Sequence, residues 1–338
     1  IAKLLYAPGK ASNYRSKLGR KALGPSVIGL TKESFQKDLL PKISGARATI
    51  KLDGEGVIGA IIGTSVLAVG GSLYESKSTR TANGPIVYDC ELYDGKQYVF
   101  DVYMFDGKNL IDTADLSVRE TYIPKVVALL GDIAIAKTHT LLTDRYSEQL
   151  RALWQSRDPA LKVDGIIFDN VYKWKPAEHL TIDFLTMRNI GEAHSQNGYI
   201  LFSGINRTQS RQYNIRPVSG YNKIFSGRAF HDYYPIQFVP GDKPDAYIFH
   251  APAGTPDIHG RICEYSWHNG AWKFMRIRED RDTEVARGSY FGNNIAVAIA
   301  TWNSIHDPLT FDMLCGSIEL LESKTSVGYF GTTDQKYE

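Results

Sequence analysis

Apolar runs in the first half of the chain are short and are separated by paired turn residues. Ala48–Lys51 and Gly56–Ile62 read as strands on either side of a turn at Asp53-Gly54. Val66–Tyr74 reads as one further strand. Ile86–Tyr93 and Gln97–Phe105 flank Asp94-Gly95, a strong hairpin signal. Over Ser117–Leu130 the apolar residues recur at helical spacing, and Ser147–Trp154 reads as a second helix. Gly165–Phe168 and Val171–Trp174 return to short strands. From about Asn197 the texture changes. Tyr199–Phe202, Tyr234–Phe238, Ala246–Phe249, Arg261–Ser266 and Trp272–Ile277 are short strands spaced by Gly, Pro and Asn, the pattern of a small β-barrel. The expected boundary lies near residues 185–198, giving domains 1–192 and 193–338. Gly288–Met313 returns toward mixed structure, and no internal repeat is visible.

Length and composition agree with this division. A chain of 338 residues suggests two domains, and 43% hydrophobic with 22% charged residues is a soluble globular composition. The net charge of +2 does not demand a polyanionic partner, but two local runs are basic. Ile1–Pro25 holds six basic and no acidic residues, and Ile205–Arg228 holds five and none, so both are candidate RNA surfaces. Cys90, Cys263 and Cys315 are far apart and form no CxxC pair, which argues against a zinc site or a disulfide scaffold and for a reducing compartment. The most apolar stretch, Val57–Val69, is broken by Gly59, Gly63, Thr64 and Ser65 and is too short to span a bilayer. The first residue is not methionine, so a fragment of a larger protein is expected.

The chemistry centres on Lys51-Leu52-Asp53-Gly54. A lysine amine is a nucleophile only when neutral, so burial or nearby cations must favour its losing a proton. In Tyr88-Asp89-Cys90-Glu91-Leu92, strand alternation puts Asp89 and Glu91 on one face, where a carboxylate can meet a ribose hydroxyl or a hydrated metal ion. Tyr98–Tyr103 carries Phe100, an aromatic ring suited to a purine or to the core. Asp164 precedes the apolar strand Gly165–Phe168 and can position a metal or polarise the lysine. Lys173 and Lys175 share a strand face around Trp174, and two such cations suit a phosphate between them. In Trp272–Arg281, Arg276, Arg278 and Asp280 alternate onto one face, and arginine forks suit a triphosphate.

In order and spacing these segments resemble motifs I, III, IIIa, IV, V and VI of the covalent nucleotidyl transferase superfamily of capping enzymes and ATP-dependent ligases. Lys173-Trp174-Lys175-Pro176, Thr181–Leu185 and Trp272–Arg281 look like mRNA guanylyltransferases. Pro235–Phe238, Ala246–Ile248 and Glu284–Asn293 are similar to the capping enzymes of large cytoplasmic DNA viruses, of the poxvirus-like and asfarvirus-like type. The resemblance implies an α+β fold: a nucleotidyl transferase domain with ATP-grasp-like antiparallel sheets and helices, then a C-terminal OB-fold β-barrel.

By position, the resemblance makes Lys51 the lysine that carries GMP, with Asp53, Gly54 and Phe100 in the nucleotide site. Glu91 would lie near the ribose and the water shell of a metal, with Asp164 the other metal-side acid. Lys173 and Lys175 would contact the α-phosphate, and Arg80 would add a phosphate or ribose contact. Arg276, Arg278, Asp280 and Arg281 would form the phosphate-orienting sixth motif of the lid. Two positions depart from the pattern: Gly56 stands where arginine is common, and Arg281 where lysine is.

The implied reaction uses GTP with Mg²⁺ or Mn²⁺ and transfers GMP to the 5′-diphosphate end of RNA. An RNA triphosphatase upstream, a cap methyltransferase downstream, and a cytoplasmic, viral-factory or virion location go with it, with no membrane partner. Two rivals are an ATP-dependent polynucleotide ligase and an inactive RNA-binding platform.

Overall fold

The computed structural model describes residues 27–70, 73–189, 198–212, 233–241, 243, 245–282, 285 and 291–318. The N-terminal basic run, most of the run 205–228 and much of the segment 284–293 lie outside the described residues. The chain divides into two compact units. One is built from Phe35–Lys175 with Leu314–Ile318 and the described residues up to Leu30; the other takes Thr31–Ser34 and Pro176–Met313.

The first unit holds two sheets. Strands β1 (Ile28–Gly29), β2 (Arg47–Leu52), β10 (Thr140–Leu141), β11 (Val163–Phe168) and β12 (Tyr172–Trp174) form one, in the order β1-β12-β11-β2-β10. The other contains β3 (Glu55–Ile62), β4 (Ser65–Val69), β5 (Leu73–Lys77), β6 (Ile86–Tyr93), β7 (Lys96–Phe105), β8 (Lys108–Asn109) and β9 (Ala134–Ala136). Its order is β5-β4-β3-β6-β7-β8, with β9 added parallel to β7. The turn at Asp53-Gly54 therefore carries the chain from one sheet into the other.

The β6–β7 hairpin forms as expected: Asp94 and Gly95 both sit at positive φ (47° and 72°), the two-residue turn whose twist matches antiparallel strands. The single strand expected over Val66–Tyr74 is instead two antiparallel strands, with Val69 opposite Leu73. The physical reason is the sequence Gly70-Gly71-Ser72 between them, which interrupts a strand. The helix expected over Ser117–Leu130 is segmented into Leu116–Arg119, a 3-10 turn Glu120–Tyr122 and Ile123–Leu130. Pro124 lacks the N–H that a continuous helix would use. Ile123, Val126 and Leu130 pack on Val57, Ile86, Cys90 and Val102 of the sheet.

The second unit is β-rich, as expected for an OB-type domain. Strands β13 (Ile182–Arg188), β14 (Gly198–Asn206), β15 (Tyr233–Gln237), β16 (Ile248–His250), β17 (Arg261–His268) and β18 (Ala271–Ile277) form one antiparallel sheet. Its path is β15-β14-β13-β17-β18 with β16 on β14, and no ladder closes it among the described residues. The helix Ile295–His306, capped by Asn294, lays Ile295, Ala298, Ile299 and Trp302 on Phe184, Phe238, Tyr265 and Trp272. The unit takes up the chain at Pro176, ahead of the expected 192/193, because β13 finds both its partners, β14 and β17, in this sheet.

Candidate active site

Lys51 lies in β2, with β11 as its neighbour. The β2–β11 ladder is irregular at one point: Val163 pairs with Leu52 and Gly165 with Lys51, leaving Asp164 as an extra residue. In a regular ladder Asp164 would stand opposite Leu52 and away from the lysine's face. The bulge re-aims it. Its Oδ1 accepts from Lys51 Nζ at 2.8 Å, and Nζ also donates to the Leu52 carbonyl at 3.2 Å. The other carboxylate oxygen pairs with Lys175. One aspartate thus holds two ammonium groups, and all three side chains are mostly buried.

Glycine is required beside this pair. A Cβ on Gly165 would stand 2.0 Å from the Trp174 carbonyl oxygen and 3.2 Å from Cγ of Lys175. The close approach of β12, locked by Trp174 stacked edge-on against Trp154 at 5.5 Å, brings Lys175 to the carboxylate. Trp174 is core. Lys173 lies opposite Ile167 in the ladder and is half-buried.

Glu91 and Phe100 meet through a residue that sequence reading missed. Glu91 Oε2 accepts from Lys137 Nζ at 2.8 Å, and the same ammonium stands 5.2 Å from the centre of the Phe100 ring. Phe100 reaches this position by a second bulge: Asp89 pairs with Asp101 and Cys90 with Val99, so Phe100 is the extra residue of β7. Lys137 is placed by its backbone N–H, which donates to the Val99 carbonyl at 2.8 Å. Asp89 accepts from Tyr103 Oη at 2.8 Å. Both acids of β6 are buried. Gly56, where the resemblance leads one to expect arginine, sits opposite Glu91 in the β3–β6 ladder.

Asp53 pairs with Lys162 at 2.5 Å. Burial raises its carboxyl, but Lys162, helped by Lys51 and Lys175, outweighs that and holds it below its ordinary value. Gly54 is needed for contact rather than for a left-handed turn. A Cβ there would lie 2.8 Å from the Leu92 carbonyl oxygen, where the chain crosses β6. Arg80 is exposed on the segment after β5, its carbonyl accepting from Ser78 Oγ at 2.7 Å, and no hydrogen bond or ion pair joins it to Lys51, Asp164 or Glu91.

A buried junction ties the two sheets behind these residues. Asp101 of β7, fully buried, accepts from Arg119 Nε at 2.8 Å, Arg119 Nη2 at 3.0 Å and Asn170 Nδ2 at 3.1 Å. Asn170 belongs to the β11–β12 turn, where it and Asp169 hold positive φ of 54° and 50°. Long-range pairs of this kind leave no local sequence signal.

In the second unit the expected alternation of Arg276, Arg278 and Asp280 ends early, because β18 stops at Ile277 and a 3-10 turn spans Glu279–Arg281. Acids still gather these arginines. Arg276 Nε donates to Glu264 Oε2 at 2.6 Å, and Arg278 and Arg281 both donate to Asp183 Oδ2, at 2.7 and 3.4 Å. Asp183 and Glu264 are direct partners across β13 and β17. Burial pushes the Asp183 carboxyl above its ordinary value despite Arg278 and Arg281. Burial also lifts Glu264, but hydrogen bonds from Thr181 and Arg276 more than reverse it.

A carboxylate that holds one lysine beside a second gathers a potential nucleophile and a further cation at one point. The family described as mRNA capping enzyme, C-terminal domain, matches residues 181–315. Two mRNA-capping enzymes from isolates of African swine fever virus are each 29% identical over 333 residues, covering 88% of this chain and 38% of theirs. The chain is similar to viral mRNA-capping enzymes.

The chain spans a little over a third of the length of the curated proteins it matches. Among solved structures, a mycobacterial DNA ligase D complexed with ATP and MES is similar over 78% of this chain and 97% of that chain, at 11% identity and a TM-score of 0.36. A second structure, "Pmar-Lig_Pre.", is similar over 81% and 72%, at 13% identity and a TM-score of 0.33.

Proposed function

We propose that this chain is an mRNA guanylyltransferase in which Lys51 carries GMP. The observation that carries the reading is the clamp itself: Lys51 Nζ stands 2.8 Å from Asp164 Oδ1, and Lys175 occupies the other oxygen. In the first step Asp164 accepts a proton from the Lys51 ammonium. The amine then attacks the α-phosphorus of GTP, forming an N–P bond as the bond to the β-phosphate oxygen breaks and pyrophosphate leaves. In the second step a terminal oxygen of 5′-diphosphate RNA attacks the same phosphorus. The N–P bond breaks, Lys51 recovers its proton, and GpppRNA departs.

Lys175, released toward the phosphate, supplies charge, as do Lys173 and the arginines Arg276, Arg278 and Arg281 of the second unit, near Asp280. Arg80 and Asp53 belong to the same proposed nucleotide-binding set. Guanine selection follows from Lys137 at the Phe100 ring. An ammonium only donates, guanine presents acceptors at O6 and N7, and adenine presents a donor in place of O6.

A divalent ion that arrives with the triphosphate and keeps its waters needs few protein ligands, and both candidate acids, Asp164 and Glu91, are held by lysines. Among the described residues no three His, Cys, Asp or Glu side chains come together, so Asp164 and Glu91 would each give one carboxylate. Bound there, Mg²⁺ or Mn²⁺ would neutralise phosphate charge. No helix among the described residues is long and apolar enough to cross a membrane. A cytoplasmic setting, with a triphosphatase acting before this step and a methyltransferase after it, completes the proposal.

The test is incubation with α-labelled GTP and metal, followed by denaturation and a mass spectrum. GMP retained on Lys51, and lost in Lys51→Ala, is expected. Absence of a covalent adduct, or equal labelling of Lys51→Ala, overturns the reading. Labelling by ATP in preference to GTP would make the chain a ligase.

A further inference from the structure

The basic run that begins at Ile205 is not used by the proposed nucleotide chemistry, yet its described part forms a built surface. The helix Arg207–Gln212 follows β14 directly and reads Arg-Thr-Gln-Ser-Arg-Gln, with no acid. Its start is locked by reciprocal hydrogen bonds. Gln209 N–H donates to Asn206 Oδ1 at 2.8 Å, and Asn206 N–H donates to Gln209 Oε1 at 3.2 Å. Gln209 Nε2 reaches Asn294 Oδ1 at 3.5 Å, and Asn206 Nδ2 reaches Tyr233 Oη at 3.2 Å. Tyr233 in turn stacks on Phe291, with ring centres 5.0 Å apart and planes 20° apart.

With Gln209 committed to the body of the unit, Arg207 and Arg211 are left exposed, four residues and about 6 Å apart along one helix face. They line an open cavity of about 200 Å³ together with Ser210 and Tyr234. No carboxylate lines it, and no ion pair involves either arginine among the described residues. Two guanidinium forks, a hydroxyl and an aromatic ring on a fixed backbone suit a phosphodiester with a base beside it. The sequence around it, residues 205–228, carries five basic and no acidic residues, which favours a polymer over a single small anion.

We propose that Arg207, Ser210, Arg211 and Tyr234 form a cradle for the backbone of the single-stranded RNA acceptor, the arginines on phosphate and Tyr234 against a base. The proposal rests on the reading of RNA as acceptor, but its test reads RNA binding directly and needs no GMP transfer.

A 5′-diphosphate RNA of about 12 nucleotides is titrated by fluorescence anisotropy at several salt concentrations. The double variant Arg207→Ala/Arg211→Ala is expected to bind about tenfold or more weakly. Its slope of log affinity against log salt should fall by about 1.4, from two phosphate contacts at about 0.7 each. Tyr234→Ala should weaken binding with the slope unchanged, and Arg207→Lys/Arg211→Lys should keep most of the slope. GTP labelling of Lys51 and the thermal melt should stay at wild-type levels in the double variant. Unchanged RNA affinity and slope would overturn the cradle. So would a parallel loss of GTP labelling or of folding, wild-type protein that binds no RNA, or inorganic tripolyphosphate that displaces RNA as effectively as RNA itself. If the wild type forms no GMP adduct, the proposed function falls, while the RNA titration and the melt still decide the cradle.

Discussion

Lys51 with Lys175 in the first unit, and Arg278 with Arg281 in the second, are gathered in the same way: one aspartate holds two cations. What differs is the cation. Lysine can surrender its proton and become a nucleophile, whereas a guanidinium stays charged and offers a planar fork. A bond-forming centre therefore suits the Asp164 clamp, and a charge-orienting one suits the Asp183 clamp. Asp53, beside the first clamp, and Asp183, the acid of the second, are shifted in opposite directions. Lys162, with Lys51 and Lys175, depresses Asp53 despite its burial, whereas burial raises Asp183 despite two arginines. Asp183 is thus a buried acid shared by two arginines, which is what a residue kept to position them would show.

The largest effect that can break this comparison is expected at Asp164. Asp164→Asn removes both the proton acceptor and the clamp, and GMP-adduct formation should fall roughly 10²- to 10⁴-fold. Wild-type labelling rates in that variant would reduce Asp164 to a spacer. Next comes Lys137→Met, which should lower the GTP-over-ATP preference in labelling by roughly 5- to 150-fold, the equivalent of about 1–3 kcal/mol. A thermal melt of the same sample separates loss of selectivity from loss of fold, since Glu91 is left unpaired.

Asp183→Asn should lower adduct formation roughly 10- to 100-fold by loosening the arginines. At neutral pH it should leave stability equal or higher. Because the native Asp183 value lies above its unfolded value of 3.8, the folded state binds more protons there. Its contribution to stability falls as pH rises from 3.8 through the native value, and urea unfolding of the variant should lose that slope. Asp53→Asn is the smallest and opposite case. The Asp53 contribution is present above 3.8 and lost as pH falls through its lower native value. Lys162 is largely exposed, so only roughly 0.2–1 kcal/mol is expected to disappear at neutral pH. Slopes of the same sign in both variants would dissolve the contrast between Asp53 and Asp183.

Local chemistry made part of this legible from residues alone. Asp94-Gly95 announces its hairpin because the turn needs positive φ at both positions, and no distant contact has to be known. Lys51, Asp164 and Lys175 were candidates by residue type and order. Their grouping depends on a bulge that changes the face of one side chain, and residue alternation cannot reveal an inserted residue. Lys137 carried no signal at all: it is a single lysine whose partner Glu91 lies 46 positions earlier. The division at Pro176 was likewise invisible, since β13 resembles any apolar strand until its partners are known.

By itself the amino-acid order determined the turns, the mixed and β-rich halves, and the roster of cations and acids, because these follow from short-range sterics and side-chain chemistry. Tertiary structure alone decided which acid holds which cation. That choice rests on ladder register, on two bulges and on a missing Cβ at Gly165, where β12 comes within 2.0 Å of the space a side chain would need. Pairings made across more than a hundred residues, such as Lys51 with Asp164, are set by how strands align and not by anything near either residue.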